Sequence, residues 1–196
     1  MWLVAGLGNP GPQFTETRHN IGWMMVATLR EAWSASRPRH HCGSLSSTAR
    51  VFEQDILLTQ PLLYMNCSGL PIRQLVQELD IKLENILIIC DDINLPFGQL
   101  RLRAKGSDGG HKGLRSITEE LGTEDFARLR MGIGAPPPDM DAAEWVLAAF
   151  DESQWDGVAG MLRSGIAVVE ACLDRGLEAG QELVNGSRSQ SQNEGG

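Results

Sequence analysis

The feature that most constrains this chain is the apolar run Trp2-Leu3-Val4-Ala5, closed at once by Gly6-Leu7-Gly8-Asn9-Pro10-Gly11. A run that short with no polar alternation reads as a strand buried on both faces, and such a strand needs helices on each side of its sheet. Beyond the glycine-rich turn, Ile21, Met24, Met25, Thr28, Leu29 and Ala32 recur at helical spacing, so a helix is expected from near Asn20. The order strand, loop, helix sets Asn9 at the carboxyl end of a strand and His19 at the start of a helix. In open α/β sheets that edge is where ligands bind.

The same logic recurs downstream. Ile86 to Cys90 is a second fully apolar strand, running straight into Asp91-Asp92. Thr48 to Phe52 and Asp55 to Gln60 read as a hairpin, Gln99 to Lys105 as a half-exposed strand, and Ala127 to Ile133 as a strand with Arg128 and Arg130 on one face. Ser34 to Ser44 reads as no strand, with His40 and His41 as solvated loop residues. Helices are expected through Ile72, Leu75, Val76 and Leu79, from Leu114 to a stop at Gly122, and over Glu152 to Arg175. Trp145 to Phe150 reads as a short amphipathic surface flap after Pro136-Pro137-Pro138. The expected fold is α/β: a single three-layer domain over 1–184, its twisted mixed β-sheet covered by helices on both faces. Residues 185–196 are expected to be a disordered C-terminal tail.

Composition narrows the function classes. At 196 residues, 42% hydrophobic and 21% charged, the chain fits one globular domain. It holds no apolar run near the roughly 20 residues of a membrane helix, and no signal segment is expected ahead of a strand starting at residue 2. The four cysteines Cys42, Cys67, Cys90 and Cys172 are scattered, which points to thiols in a reducing cytoplasm and not to disulfides or zinc. A net charge of −8 argues against indiscriminate nucleic-acid binding. Yet Arg101, Arg103, Lys105, Lys112 and Arg115 stand against the single acid Asp108. A local basic face on an acidic remainder suits an anionic ligand docked in one orientation, or simply a solvated strand face.

Gly6, Gly8 and Gly11 match G-x-G-x-x-G literally, but the context of a dinucleotide site fails. Residues 12–18 intervene before the helix, and no acidic strand end lies about 20 residues on. The glycines are read instead as allowing a sharp turn and leaving room for a substrate.

Asn9, Asn66 and Asp91 follow strands, while His19 and His111 stand at helix starts. A histidine, a carboxylate partner and several asparagines suffice for hydrolysis without metal. The imidazole would activate water, the carboxylate would fix its tautomer, and amides would bind carbonyl oxygens. Each residue also has a plain alternative: His19 as a cap or core histidine, Asp91 or Asp92 as a turn cap, Asn66 as a helix cap.

The blocks GLGNPG, TRHN-G, MN-SG, DD-LP-G, GS-GGH-GL and RLR-GIG, in that order over about residues 2 to 150, resemble bacterial-type peptidyl-tRNA hydrolase. That resemblance implies cleavage of the ester between a peptide and the 3′ ribose of tRNA, by a cytoplasmic monomer with no metal or cofactor. It implies His19 as general base, Asp91 as its orienting carboxylate, and Asn9 as the group that distinguishes blocked from free aminoacyl-tRNA. Phe14, Tyr64, Met65 and Asn66 would line the substrate site, with Asn20, His111 and Lys112 in the same binding set. Arg103 and Arg130 would clamp the tRNA 5′ phosphate at the acceptor stem. The chain departs from the family at Phe14, often tyrosine, at Tyr64, often phenylalanine, at Arg103, commonly lysine, and at Lys112, usually asparagine. The Lys112 departure replaces a donor-acceptor amide by a cation that only donates, and leaves an RNA-binding relative without hydrolysis as the alternative.

Overall fold

The computed structural model describes the backbone of residues 1–191 and the side chains of residues 1–186. The strands are β1 (Trp2–Gly6), β2 (Arg39–His41), β3 (Ser44–Val51), β4 (Gln54–Pro61), β5 (Ile86–Asp92), β6 (Leu100–Arg103) and β7 (Ala127–Gly132). They form one mixed sheet in the order β2-β3-β4-β1-β5-β7-β6. The central pairs β4–β1, β1–β5 and β5–β7 are parallel, and the pairs nearer the edges are antiparallel.

Two cores explain why the central strands are apolar throughout. On one face, Val4, Ile56, Leu58, Leu87, Ile89 and Leu129 pack against α1 (Ile21–Ala32) and α5 (Trp155–Arg175) through Met25, Val26, Leu29, Val168 and Val169. On the other, Leu3, Ala5, Leu57, Ile86, Ile88 and Cys90 pack against α2 (Gly69–Glu78) and α3 (Lys112–Leu121) through Ile72, Leu75, Leu114 and Ile117. Alternate residues of one strand thus feed opposite cores. The result is a three-layer α/β domain, completed by α4 (Ala142–Leu147) and α6 (Leu177–Ser191).

The structure corrects three sequence expectations. Residues 39–41 are a strand, because Cys42 (φ 44°) and Gly43 (φ 66°) form a two-residue turn that returns the chain as β3. β2 is short, polar and at the edge, where no hydrophobic pattern is required. His40 and His41 therefore lie in a strand and not in a loop, and β3 begins at Ser44. The expected tail is helical over 185–191 as the end of α6, which is anchored by Val184 in the core and by the close packing of Gly180 on Cys172. Residues 192–196 of that expected tail lie outside the described residues.

Candidate active site

Because β1, β4, β5 and β7 run parallel, the loops after β1, β4 and β7 and the carboxyl end of β5 meet at one edge. The glycine loop there is not open space for a ligand, as its composition suggested. A Cβ at Gly6 would lie 2.0 Å from the Gly22 carbonyl oxygen, and one at Gly8 would lie 2.7 Å from the Trp23 ring. These glycines let α1 press against β1 and its loop. A 3-10 turn at Arg18–Asn20 then carries His19 to the strand edge.

Asp91, at the end of β5 and only 2% exposed, receives two imidazoles on one oxygen. Its Oδ1 lies 2.7 Å from His19 Nδ1 and 3.0 Å from His111 Nε2. A carboxylate only accepts, so both ring nitrogens donate. His111 Nδ1 in turn accepts the Gly113 and Leu114 N–H groups and caps α3, which fixes its tautomer independently. Burial raises the Asp91 carboxyl, but the two histidines, by charge and by hydrogen bonding, outweigh it and hold the group well below the ordinary carboxylate range. With Nδ1–H committed to Asp91, His19 keeps the Nε2 lone pair for the groove that it lines.

Asn9 is oriented just as firmly. The Met65 N–H donates to Asn9 Oδ1 at 2.8 Å, so the amide Nδ2 must be the group left facing the groove. Asn20, expected among the substrate contacts, instead lies beneath. Its Oδ1 accepts the Asn9 N–H at 2.8 Å and its Nδ2 donates to the Asn9 carbonyl at 3.0 Å. Asn20 is buried and does not line the groove.

The groove itself has a volume of about 940 Å³. Phe14, His19, Tyr64, Met65, Asn66, His111 and Lys112 line it, as do Asn9, Asp91 and Arg130. Tyr64, Asn66 and Lys112 are exposed there, and Phe14 is half-buried. The expected phosphate pair is placed unevenly. Arg103 is exposed at the end of β6, outside the groove lining. Arg130 is buried, bonded to the Ser107 and Asp108 carbonyls and paired with Asp92 at 3.4 Å. In register Arg103 opposes Arg128, so the two expected partners are diagonal on one face.

Sequence reasoning missed one wall of the groove. Ala142, Val146 and Leu147 of α4 line the groove. Arg18, next to His19 in sequence, holds that wall. Its guanidinium lies 3.6 Å from the Trp145 ring centroid and donates to the Ala149 carbonyl at 2.6 Å and to Gln154 at 3.0 Å. The signal available in sequence was an arginine beside the candidate base and a lone tryptophan in the flap.

His19, Asp91 and His111 also bring three potential metal-ligand atoms within 4.8 Å of one another. Both imidazole–carboxylate contacts at that cluster are of hydrogen-bond length and use those same atoms.

A three-layer α/β fold that offers a carboxylate-oriented imidazole and an oriented amide at its strand edge belongs to the class of hydrolytic enzymes. Within that class the chain belongs to the peptidyl-tRNA hydrolase family, whose model matches residues 3–193. It is 37% identical to the peptidyl-tRNA hydrolase of Kineococcus radiotolerans over 188 residues, covering 92% of this chain and 95% of that one. It is 38% identical to the Bacillus subtilis peptidyl-tRNA hydrolase over 175 residues, covering 89% and 93%. The crystal structure of the Acinetobacter baumannii peptidyl-tRNA hydrolase superposes with a TM-score of 0.87 at 29% identity, covering 94% of each chain.

Proposed function

We propose that this chain hydrolyses the ester joining a peptide, or an N-blocked aminoacyl group, to the 3′ ribose of tRNA. The observation that carries the proposal is that His19 and Asn9 line one groove, each fixed by a buried partner, with Nε2 and Nδ2 left free. His19 Nε2 takes a proton from water as the water oxygen attacks the ester carbonyl. Asp91 keeps the proton on Nδ1 and stabilises the imidazolium that forms. Collapse of the tetrahedral intermediate breaks the acyl–oxygen bond, and the imidazolium returns its proton to the departing ribose hydroxyl. The products are a free peptide carboxylate and tRNA.

Asn9 Nδ2 is a donor with no partner among the described residues, and it suits the carbonyl of the first peptide unit. A free aminoacyl group has no such carbonyl. Phe14, Tyr64 and Met65 offer apolar surface to the acyl chain, while Asn66, His111 and Lys112 face the 3′ end. We assign the 5′ phosphate of the acceptor stem to Arg103, which is exposed at the end of β6. We take the enzyme to act as a monomer and place the reaction in the cytoplasm.

The test is release of the acyl group from N-blocked aminoacyl-tRNA by purified protein with chelator present. His19→Ala is expected to lower kcat by about 10²–10⁴-fold with tRNA Kd nearly unchanged. Activity within a few-fold of wild type removes His19 from the role of base. Tight tRNA binding by the wild type without turnover favours the RNA-binding alternative.

A further inference from the structure

Away from the groove, the turn between β2 and β3 meets the last residue of α2. His41 Nε2 lies 2.8 Å from Glu78 Oε1, and Cys42 Sγ lies 3.0 Å from Glu78 Oε2. The three ligand atoms lie within 4.8 Å of one another. We propose that His41, Cys42 and Glu78 form a surface site for a borderline-soft divalent cation of the Zn²⁺ type. This site is independent of the catalytic reading.

The donor set carries the choice of metal. A thiolate sulfur, an imidazole nitrogen and a carboxylate oxygen are each ligand types that Zn²⁺ takes, and three such ligands leave a fourth position for water. Tetrahedral bonds of about 2.0–2.3 Å set ligand atoms roughly 3.3–3.8 Å apart. The two contacts to Glu78 would open by about half an ångström to reach that range, while the His41–Cys42 separation, within 4.8 Å, sets how far the turn must adjust. Glu78 is more than half exposed and can rotate to allow it, while water can reach the fourth position past the half-exposed His41.

The backbone supports the same assignment. Cys42 takes the first central position of a two-residue turn at φ 44°, where glycine, asparagine and aspartate are favoured. That turn projects Sγ towards the same carboxylate that His41 reaches from the preceding residue. The catalytic cluster of His19, Asp91 and His111 has no thiol, and its His111 Nδ1 is taken up in capping α3.

Binding replaces hydrogen bonds by metal bonds. The Cys42 Sγ–H bond breaks, its proton passes to water and an Sγ–metal bond forms. The His41 proton shifts to Nδ1, freeing the Nε2 lone pair, and Glu78 binds through one oxygen. No oxidation state changes. The cation would tie the tip of the edge hairpin to the end of α2, whose other end adjoins Met65 and Asn66.

The experiment uses the full chain, freed of metal by chelator and titrated with Zn²⁺ alone by calorimetry. One equivalent is expected to bind in the micromolar range or tighter, with proton release and a rise in Tm. Co²⁺ is expected to give a thiolate-to-metal charge-transfer band. Cys42→Ser and Glu78→Gln should each weaken binding at least about ten-fold, and Cys42→Ser should remove the band. Both variants should leave peptidyl-tRNA hydrolysis unchanged, which also shows that they fold. Absence of binding up to millimolar Zn²⁺ overturns the proposal. Binding that survives Cys42→Ser overturns it as well, and its loss in His19→Ala or Cys67→Ser would locate the cation elsewhere.

Discussion

Asp91 carries both histidines on a single oxygen, and the consequences can be separated by one substitution. Asp91→Asn keeps the shape and an accepting oxygen but removes the charge. Its kcat is expected to fall by less than the loss in His19→Ala, because the base remains and only its orientation and the imidazolium are affected. A larger effect from Asp92→Asn would exchange the two roles, although Asp92 faces Arg130 and the Asn94 N–H. Stability gives a second readout. The Asp91 carboxyl is depressed in the folded state, so its contribution is present above about pH 4, the ordinary aspartate value, and is lost as pH falls through the folded value. Unfolding free energy followed by urea titration from pH 6 downward should therefore decline less steeply in Asp91→Asn than in wild type. Equal slopes would mean that the buried pairings hold Asp91 no more tightly than water does. At this scale the residue types and their topological stations were legible, since strand-end Asp91 and helix-start His19 follow from hydrophobic pattern alone. The direction of side chains was not. Asn20 turns inward to clamp Asn9, and Arg130 spends donors on carbonyls of the loop between β6 and α3, because both depend on where loop backbone passes in space.

Among the elements, α4 has little support of its own and much to do. It has six residues, none of them buried, yet it forms one wall of the groove. Arg18 links it to the 3-10 turn that bears His19, and the pairing of Thr17 with Ala149 runs alongside. Arg18→Ala removes the ring contact and leaves the Ala149 carbonyl without its donor. The expected cost is about 2–4 kcal/mol, with little of it from Asp151, which is largely exposed. Thermal unfolding should show a lowered Tm. The ratio kcat/KM should fall more than tRNA affinity, since the acyl wall and the base are disturbed together. Unchanged Tm and kinetics would mean that α4 holds its place without the arginine. The sequence showed α4 only as an amphipathic piece, while the long helices and central strands were plain from periodicity. β2 and α6 escaped notice for opposite reasons. β2 is too short and polar to show a period, and α6 is polar enough over 185–191 to read as a tail although it continues a packed helix.

Over the whole molecule, charge is the quantity that must be reconciled with the substrate. A chain of net charge −8 has to hold a polyanion, so its cations must be few and well placed. Arg130 already has three partners, two in the loop between β6 and α3 and one at the end of β5, which leaves Arg103 as the freer member of the expected phosphate pair. Arg103→Ala is expected to raise KM for full-length peptidyl-tRNA and to leave a minimal substrate lacking the 5′ end unaffected. Equal losses on both substrates would remove the clamp. Lys112 is different in kind. It is exposed, lines the groove, and has no ion-pair partner among the described residues. It is also the first residue of α3, whose free N–H groups favour anions, although His111 satisfies two of them. A phosphate near the 3′ end of tRNA would meet that cation directly. Each phosphate contact of this kind releases condensed counterions and makes affinity fall with salt, by a log–log slope of about 0.7–0.9 per contact. Lys112→Asn should therefore weaken tRNA binding at low salt, converge with wild type as salt rises, and lower the slope by about that amount. Kd measured from 50 to 300 mM salt for both proteins decides the matter. Parallel lines would mean that Lys112 faces water and not the phosphate.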